Sequence, residues 1–228
     1  FGVSYFSFNT CIYCLLLRLV MADTPSSTAV DQHRYKQQLR DELRARRQAL
    51  TPAQQQQASL LLLRHLMKMP QFMRAHHIAL YMANDGEIDP AVIARQLWKM
   101  EKHTYLPVLR PGKSKELWFV EFSADTLLTP NRYGIPEPDH RHEHRLPANL
   151  LDVVLMPLVG FDSKGARLGM GGGFYDATFA FKHKKAAGRP YLIGLAHSCQ
   201  QVEELSTDSW DIPLFAIATE TGIVSVKA

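Results

Sequence analysis

The chain is poor in cysteine. Its three cysteines in 228 residues, Cys11, Cys14 and Cys199, are too few to staple a domain of this size, which excludes a disulfide framework and agrees with a reducing, cytoplasmic setting. Cys11 and Cys14 form a Cys-x-x-Cys pair, but no second Cys/His pair stands at zinc-finger spacing and no βαβ pattern surrounds it, so coincidence is the reading. Blocks of like charge are absent too. The net charge is +4, spread along the chain without an RNP, zinc-finger or basic-zipper pattern, which argues against nucleic acid and for a small polyanionic partner. No apolar run is long enough for a membrane span.

Familiar catalytic fingerprints are also missing. After Gly173 come Phe174 and Tyr175, where a Walker loop needs Lys and then Ser or Thr, and a dinucleotide fold needs a glycine at Phe174 and an acid near Ala196-His197. Neither a Gly-x-Ser-x-Gly elbow nor a His-Glu-x-x-His motif is present.

Residues 1–20 are apolar, with Arg18 as their only charge. Read as a signal peptide they have reversed polarity and no small-x-small cleavage site. We therefore expect the functional protein to start at Met21, residues 21–30 to be a disordered lead-in, and residues 1–30 as a whole to be a non-native or disordered extension. Residues 31–228 are long enough for one α/β domain.

Periodicity predicts a helix over residues 31–50, with Leu39, Leu43 and Leu50 at helical spacing, and a second from Thr51-Pro52 through the leucine run to Met69. Apolar β-rich runs follow at residues 78–82, 104–109, 117–122, 151–159, 191–196 and 215–219, with a helix over residues 90–102. Tyr133-Gly134-Ile135-Pro136-Glu137-Pro138 reads as an extended loop. Strands alternating with helices imply a single doubly wound, mainly parallel sheet flanked by helices, preceded by two N-terminal helices.

The densest signal is Gly165-Ala166-Arg167-Leu168-Gly169-Met170-Gly171-Gly172-Gly173-Phe174-Tyr175-Asp176, between the buried run at residues 151–159 and a short helix expected over residues 174–183. Strand, glycine loop and helix start can gather free backbone N–H groups around an anion, although a tight turn alone also calls for glycine. Asp176 either complements the helix dipole or holds Mg²⁺ beside phosphates, and Asp208 or Asp211 could supply the second acid. Lys36 and Arg40, four residues apart, share a helix face that is solvated by default. His140-Arg141-His142-Glu143-His144 looks like a metal cluster, but its polar, arginine-bearing loop favours a solvated surface.

Lys36 with Arg40, Glu87, the segment Tyr133 to Pro138, Met156-Pro157-Leu158-Val159-Gly160-Phe161-Asp162, the glycine loop to Asp176, and Asp211 together resemble the 5-formyltetrahydrofolate cyclo-ligase family, also called 5,10-methenyltetrahydrofolate synthetase. The likeness spans residues 35–224. It implies ATP-dependent conversion of 5-formyltetrahydrofolate, with or without a polyglutamate tail, to the 5,10-methenyl form through a phosphorylated formyl group, with ATP as co-substrate and Mg²⁺. It further implies that Lys36, Arg40, Arg167, Leu168, Gly169, Met170, Gly171, Gly172, Gly173, Phe174 and Tyr175 bind ATP. Arg167, Gly171 and Tyr175 would act in the chemistry, Asp176 and Asp211 would hold the metal, and Glu87, Tyr133 and Met170 to Phe174 would contact the folate.

Many members read Gly-Arg-Gly-Lys-Gly in the loop; Met170 and Gly172 here remove two cations, leaving Arg167, Lys164 and backbone amides. A monomer is expected. The alternatives are a non-catalytic folate-binding or regulatory protein, and a sugar-phosphate isomerase or CoA-transferase-like enzyme using Glu87.

Overall fold

The computed structural model describes residues 27–112, 114–139, 144–183 and 188–226, with side chains from residue 31. The Cys11/Cys14 pair, the apolar segment 1–20 and most of the histidine cluster at residues 140–143 lie outside the described residues. The first helix, α1, runs Ser27–Gln48, starting four residues before the expected Asp31, since Thr28, Ala29 and Val30 contain nothing that breaks a helix. The chain divides into two compact units within this helix, after Leu39, and the sheet belongs to the unit that begins at Arg40.

The second helix, α2, is Pro52–Leu66, and its start is fixed by a capping box: the Thr51 hydroxyl accepts from the Gln54 amide while the Gln54 side chain accepts from the Thr51 amide. A short turn of helix, α3 (Pro70–Met73), leads to β1, His77–Ala79. Helix α4, Ala91–Lys99, crosses to β2, His103–Leu109, which returns antiparallel as β3, Leu117–Phe122.

After these come the ribbon β4 (Leu128–Pro130) and β5 (Pro136–Pro138), the short β6 (Arg145–Leu146), and the central β7 (Val153–Pro157). A hairpin, β8 (Gly160–Phe161) and β9 (Arg167–Leu168), carries the chain into the glycine loop and α5, Phe174–Thr178. Strands β10 (Tyr191–Leu195), β11 (Ala216–Ala218) and β12 (Ile223–Ser225) complete the chain.

Eight strands form one sheet in the order β12-β11-β10-β7-β1-β2-β3-β6. The five central strands are parallel, β12 and β3 run antiparallel to them, and β6 pairs antiparallel with β3 at the far edge. This is the expected mainly parallel α/β sheet. Along β7, Val153 and Leu155 enter one core with Leu62, Leu66, Phe72 and Ile93, whereas Val154 and Met156 enter the other with Phe119, Phe161 and Phe179. A strand buried on both faces therefore reads as an unbroken apolar run, and each such side chain contributes on the order of 2 kcal/mol by its burial.

Two local expectations are corrected. The proline-rich segment at residues 133–138 is not all loop, because β5 pairs with β4 through Thr129 and Glu137, with Pro130 opposite Pro136. A two-stranded ribbon has open edges, where a missing N–H breaks no interior ladder. The helix expected over residues 174–183 breaks at Phe179 into α5 and a 3₁₀ turn, Ala180–His183. Thr178 turns its hydroxyl back to the Phe174 carbonyl at 2.6 Å and accepts from the Leu117 amide at 2.8 Å, tying α5 to the start of β3.

Candidate active site

Strands β7, β1 and β2 are neighbours, and the chain leaves β1 and β7 in opposite directions, which opens a crevice at their carboxyl ends. The turn at residues 84–87 follows β1, the β8–β9 hairpin and glycine loop follow β7, and the β4–β5 ribbon stands beyond the end of β2, where the Leu109 amide donates to Glu137 Oε2 at 3.3 Å. Thus the Glu87 turn, the glycine loop and the Tyr133 turn, far apart in sequence, border one end of the sheet.

The glycine loop is shaped by specific contacts. Asp162, buried at the hairpin, accepts from the Lys164 and Ala166 amides through Oδ1, both at 2.9 Å, and from the Leu205 amide through Oδ2 at 3.0 Å. Beyond Leu168, Gly171 (φ 87°) and Gly173 (φ 69°) take left-handed conformations, and Gly173 caps α5. A Cβ on Gly172 would fall 2.9 Å from the Phe174 ring.

Arg40 brings a cation to this loop. Its Nε donates to the Gly169 carbonyl at 2.8 Å, and a Cβ on Gly171 would lie 3.5 Å from its terminal nitrogen. The guanidinium therefore lies over the loop, with burial pulling its pKa down and Asp41 partly restoring it. Lys164 does not serve the loop: it pairs with Glu204 at 2.6 Å on the exposed side of the hairpin. Lys36 lies one turn before Arg40 on α1, in the unit that ends at Leu39.

Arg167 leaves β9 and donates to the Asp176 carboxylate and to the Ile212 carbonyl. Burial lowers its pKa, and Asp176 and then Asp211 oppose that shift, so both acids face one guanidinium. The Ile212 amide also reaches Asp176 Oδ1 at 3.4 Å. Asp211 and Asp208 form a local turn, Asp208 N to Asp211 Oδ2 at 2.8 Å and Asp211 N to Asp208 O at 3.0 Å.

Two acids facing one guanidinium suit a magnesium ion whose other ligands come from phosphates and water. No cluster of three or more His, Cys, Asp or Glu side chains exists among the described residues, so a self-sufficient protein cage is not what the site offers.

On the opposite side, Glu87 is 12% exposed. Its Oε2 accepts from the Asn84 amide at 3.1 Å. Burial pushes its carboxyl up to about 7, against the opposing pull of Arg47 and the Asn84 amide, with Asp85 adding to the rise. Tyr81 and Tyr175 are both pushed above the ordinary phenol range by burial and then by Glu87, so three titratable side chains lie within electrostatic reach of one another. Tyr133, 57% exposed, meets the Phe174 ring edge-on with centroids 6.4 Å apart, and Arg132 covers it at 5.1 Å.

Sequence reasoning missed Arg47. It is fully buried, donates to Asp85 and to the Leu158 carbonyl, and stands 3.8 Å from Glu87. The signal available was its place in the rhythm Leu39, Leu43, Arg47, which puts an arginine on the buried stripe of α1.

Comparison with known proteins adds an independent line. Residues 32–220 match the 5-formyltetrahydrofolate cyclo-ligase family. The 5-formyltetrahydrofolate cyclo-ligase of Haemophilus influenzae is 44% identical over 182 residues, covering 80% of this chain and 96% of the relative. That of Escherichia coli is 42% identical over 182 residues, covering 79% and 98%. Among solved structures, 5,10-methenyltetrahydrofolate synthetase of Aquifex aeolicus superposes with a TM-score of 0.71 at 27% identity, over 85% of this chain and 93% of that one.

Proposed function

The chain belongs to the 5-formyltetrahydrofolate cyclo-ligase family, and from that premise we propose that it uses ATP and Mg²⁺ to close 5-formyltetrahydrofolate into 5,10-methenyltetrahydrofolate, releasing ADP and phosphate. The observation that carries the reading is the placement of Arg40 and Arg167 at the glycine loop, opposite a dry carboxyl at Glu87. One side of the crevice suits phosphates and the other a ring with paired N–H groups.

The formyl oxygen attacks the γ-phosphorus and ADP leaves, converting an amide-like oxygen into a phosphate ester on an iminium carbon. N10 then attacks that carbon and loses its proton, and phosphate departs with the former formyl oxygen. Neither step needs a covalent bond to the protein, so the enzyme's contribution is positioning and charge stabilisation. Arg40 and the amides and side chains from Leu168 to Tyr175 hold the triphosphate, and Arg167 faces the transferred group. Gly171 lets the loop approach closely, and Tyr175 closes the reacting centre against water. Asp176 and Asp211 would hold Mg²⁺, which supplies charge neutralisation on the phosphates. Glu87 accepts from the pterin N–H groups, and Tyr133 stacks on the ring, with Met170 to Phe174 forming its other border.

The test is near-ultraviolet absorbance of the methenyl product from purified protein, 5-formyltetrahydrofolate and Mg-ATP, with omission of ATP and of metal. Product only when all are present supports the proposal. Folate binding without product would instead support a non-catalytic folate-binding role, and turnover without ATP would support the isomerase or transferase alternative. The expected protein is monomeric and cytoplasmic; no helix among the described residues is long and apolar enough to cross a membrane.

A further inference from the structure

Arg47 does more than fill space in the core. Its Nε donates to the Asp85 carbonyl at 2.8 Å, one terminal nitrogen to Asp85 Oδ2 at 3.0 Å, and the other to the Leu158 carbonyl at 3.3 Å. Asp85 follows β1 and Leu158 follows β7, so a single rigid fork spans the two strand ends from which the Glu87 turn and the glycine loop depart.

The turn needs such support. Asp85 (φ 54°) and Gly86 (φ 75°) take successive left-handed conformations, a strained arrangement for Asp85, and a Cβ on Gly86 would touch the Arg47 side chain and backbone at 3.4 Å. Arg44 adds a bond to Asp85 Oδ2 at 2.6 Å, and the Gln48 amide reaches Oδ1, so consecutive turns of α1 grip one carboxylate. At the other end, Gln200 donates to Leu158 and Val159 at 2.7 and 2.9 Å, leaving the β7 end no slack.

We infer that Arg47 is a positioning residue that ties the turn at residues 84–87 to the carboxyl end of β7, and thereby fixes where the Glu87 carboxyl stands relative to the glycine loop. Its consequence for turnover rests on the proposed folate contact of Glu87. The fork geometry is essential to the role: a lysine carries the charge but offers one point of donation, and cannot hold Asp85 and Leu158 together.

The groups facing Glu87 are Arg47 from α1, Asp85 on its own turn, Tyr81 from the segment after β1 and Tyr175 from α5; buried His197 faces Arg47, and burial pulls its pKa below the ordinary imidazole value. Arg47 is thus the cation opposite Glu87 in this group, and its loss moves the Glu87 ionisation upward.

The test is a double-mutant cycle on the full chain, Arg47→Met, Arg47→Lys and Glu87→Gln, singly and with Arg47→Met combined with Glu87→Gln, read by steady-state kinetics and by amide hydrogen exchange. Arg47→Met and Arg47→Lys are expected to accelerate exchange at residues 84–88. They should raise the KM for the folate by about tenfold with the KM for ATP within about twofold, and Arg47→Met should add little once Glu87 is Gln. It should also move the acid limb of the pH profile upward.

Unchanged exchange in the turn, full rescue by Arg47→Lys, or additive effects on folate KM would each overturn the inference. A normal folate KM in Glu87→Gln alone would instead remove the proposed folate contact, while exchange still decides the tie. Should Arg47→Met fail to fold, Asp85→Ala removes the carboxylate that Arg47, Arg44 and Gln48 all hold, and unchanged exchange and folate KM in that variant would overturn the inference equally.

Discussion

Arg167 reaches across the glycine loop to the carboxylate of Asp176, nine residues further on, and with its other terminal nitrogen holds the Ile212 carbonyl. One buried cation thereby clamps both ends of the loop and draws in the segment that follows Asp211. Without it, the two acids would meet with no cation between them, and the loop would lose its brace.

Replacing Arg167 with Ala is expected to lower kcat/KM by on the order of a hundredfold, the range seen when a preorganised donor to developing charge is removed. Arg167→Lys should recover only part of this, because a single ammonium cannot hold Asp176 and Ile212 at once. Asp176→Asn keeps a hydrogen-bond acceptor but removes a charge; its expected signature is a lower affinity for Mg²⁺, read as a metal titration displaced to higher concentration. An unchanged metal titration would argue that Asp176 serves Arg167 alone.

Tyr133 is exposed, yet its ring rests edge-on against Phe174, so the ribbon turn and the glycine loop share an aromatic contact. Tyr133→Phe keeps the stacking face and is expected to leave the folate KM nearly unchanged. Tyr133→Ala should raise it about fivefold to tenfold, consistent with roughly 1–1.5 kcal/mol for an aromatic contact. Equal effects from both substitutions would point to the hydroxyl instead.

The sheet was legible because its strands are apolar on both faces, as Val153 to Met156 illustrate, and because Thr51-Pro52 and the glycine loop punctuate the chain in recognisable ways. The short pieces were not. Strands β8 and β9 have two residues each, too few for any periodicity, and although Asp162 accepts locally from the Lys164 and Ala166 amides, its bond from the distant Leu205 amide is a relation no local pattern carries. Ribbon β4–β5 was hidden by its prolines. At the site, the residue types pointed to anion binding near Gly169 to Gly173, but the assignment to roles came from family likeness. Arg40 sat on a face that reads as solvated, and only the fold brings its guanidinium over Gly171. Arg47 carries no local mark of its role, because its acceptors, partly buried Asp85 and buried Leu158, come from loops far along the chain.

Gly172→Ala tests whether the loop's close approach matters independently of its backbone freedom. Gly172 is not in the left-handed region, so the expected cost comes from the Phe174 ring, which must move away from a Cβ that would stand 2.9 Å off. That ring supports Tyr133, and the folate KM should rise while thermal stability changes little. Gly173→Ala is the complement: open space surrounds the new methyl, but φ is 69°, costing about 1–2 kcal/mol, so unfolding should occur at a lower midpoint. If Gly172→Ala lowered stability and left KM intact, the Phe174 contact would be structural only.

Glu87 provides a prediction in which the sign can be worked out in advance. Its carboxyl is raised to about 7 in the fold, chiefly by burial, against about 4.5 when unfolded. Between these values the folded chain holds a proton that the unfolded chain has released, so stability falls as pH rises through that window and levels off above it. The size is on the order of 3 kcal/mol. Because other carboxylates titrate nearby, the measurement is the difference between wild type and Glu87→Gln in urea midpoint at about pH 5 and about pH 8, values chosen to bracket the window. Wild type should lose ground to the variant as pH rises. Folate binding should run the other way, since an ionised Glu87 accepts N–H groups more strongly: the folate KM should fall as pH rises through about 7 in wild type and lose that dependence in Glu87→Gln. The two opposite slopes mark one group whose ionisation is unfavourable in the empty site and favoured by substrate. A stability difference independent of pH would show that Glu87 is ionised throughout, and would leave the neighbouring Arg47 as the dominant influence on its charge.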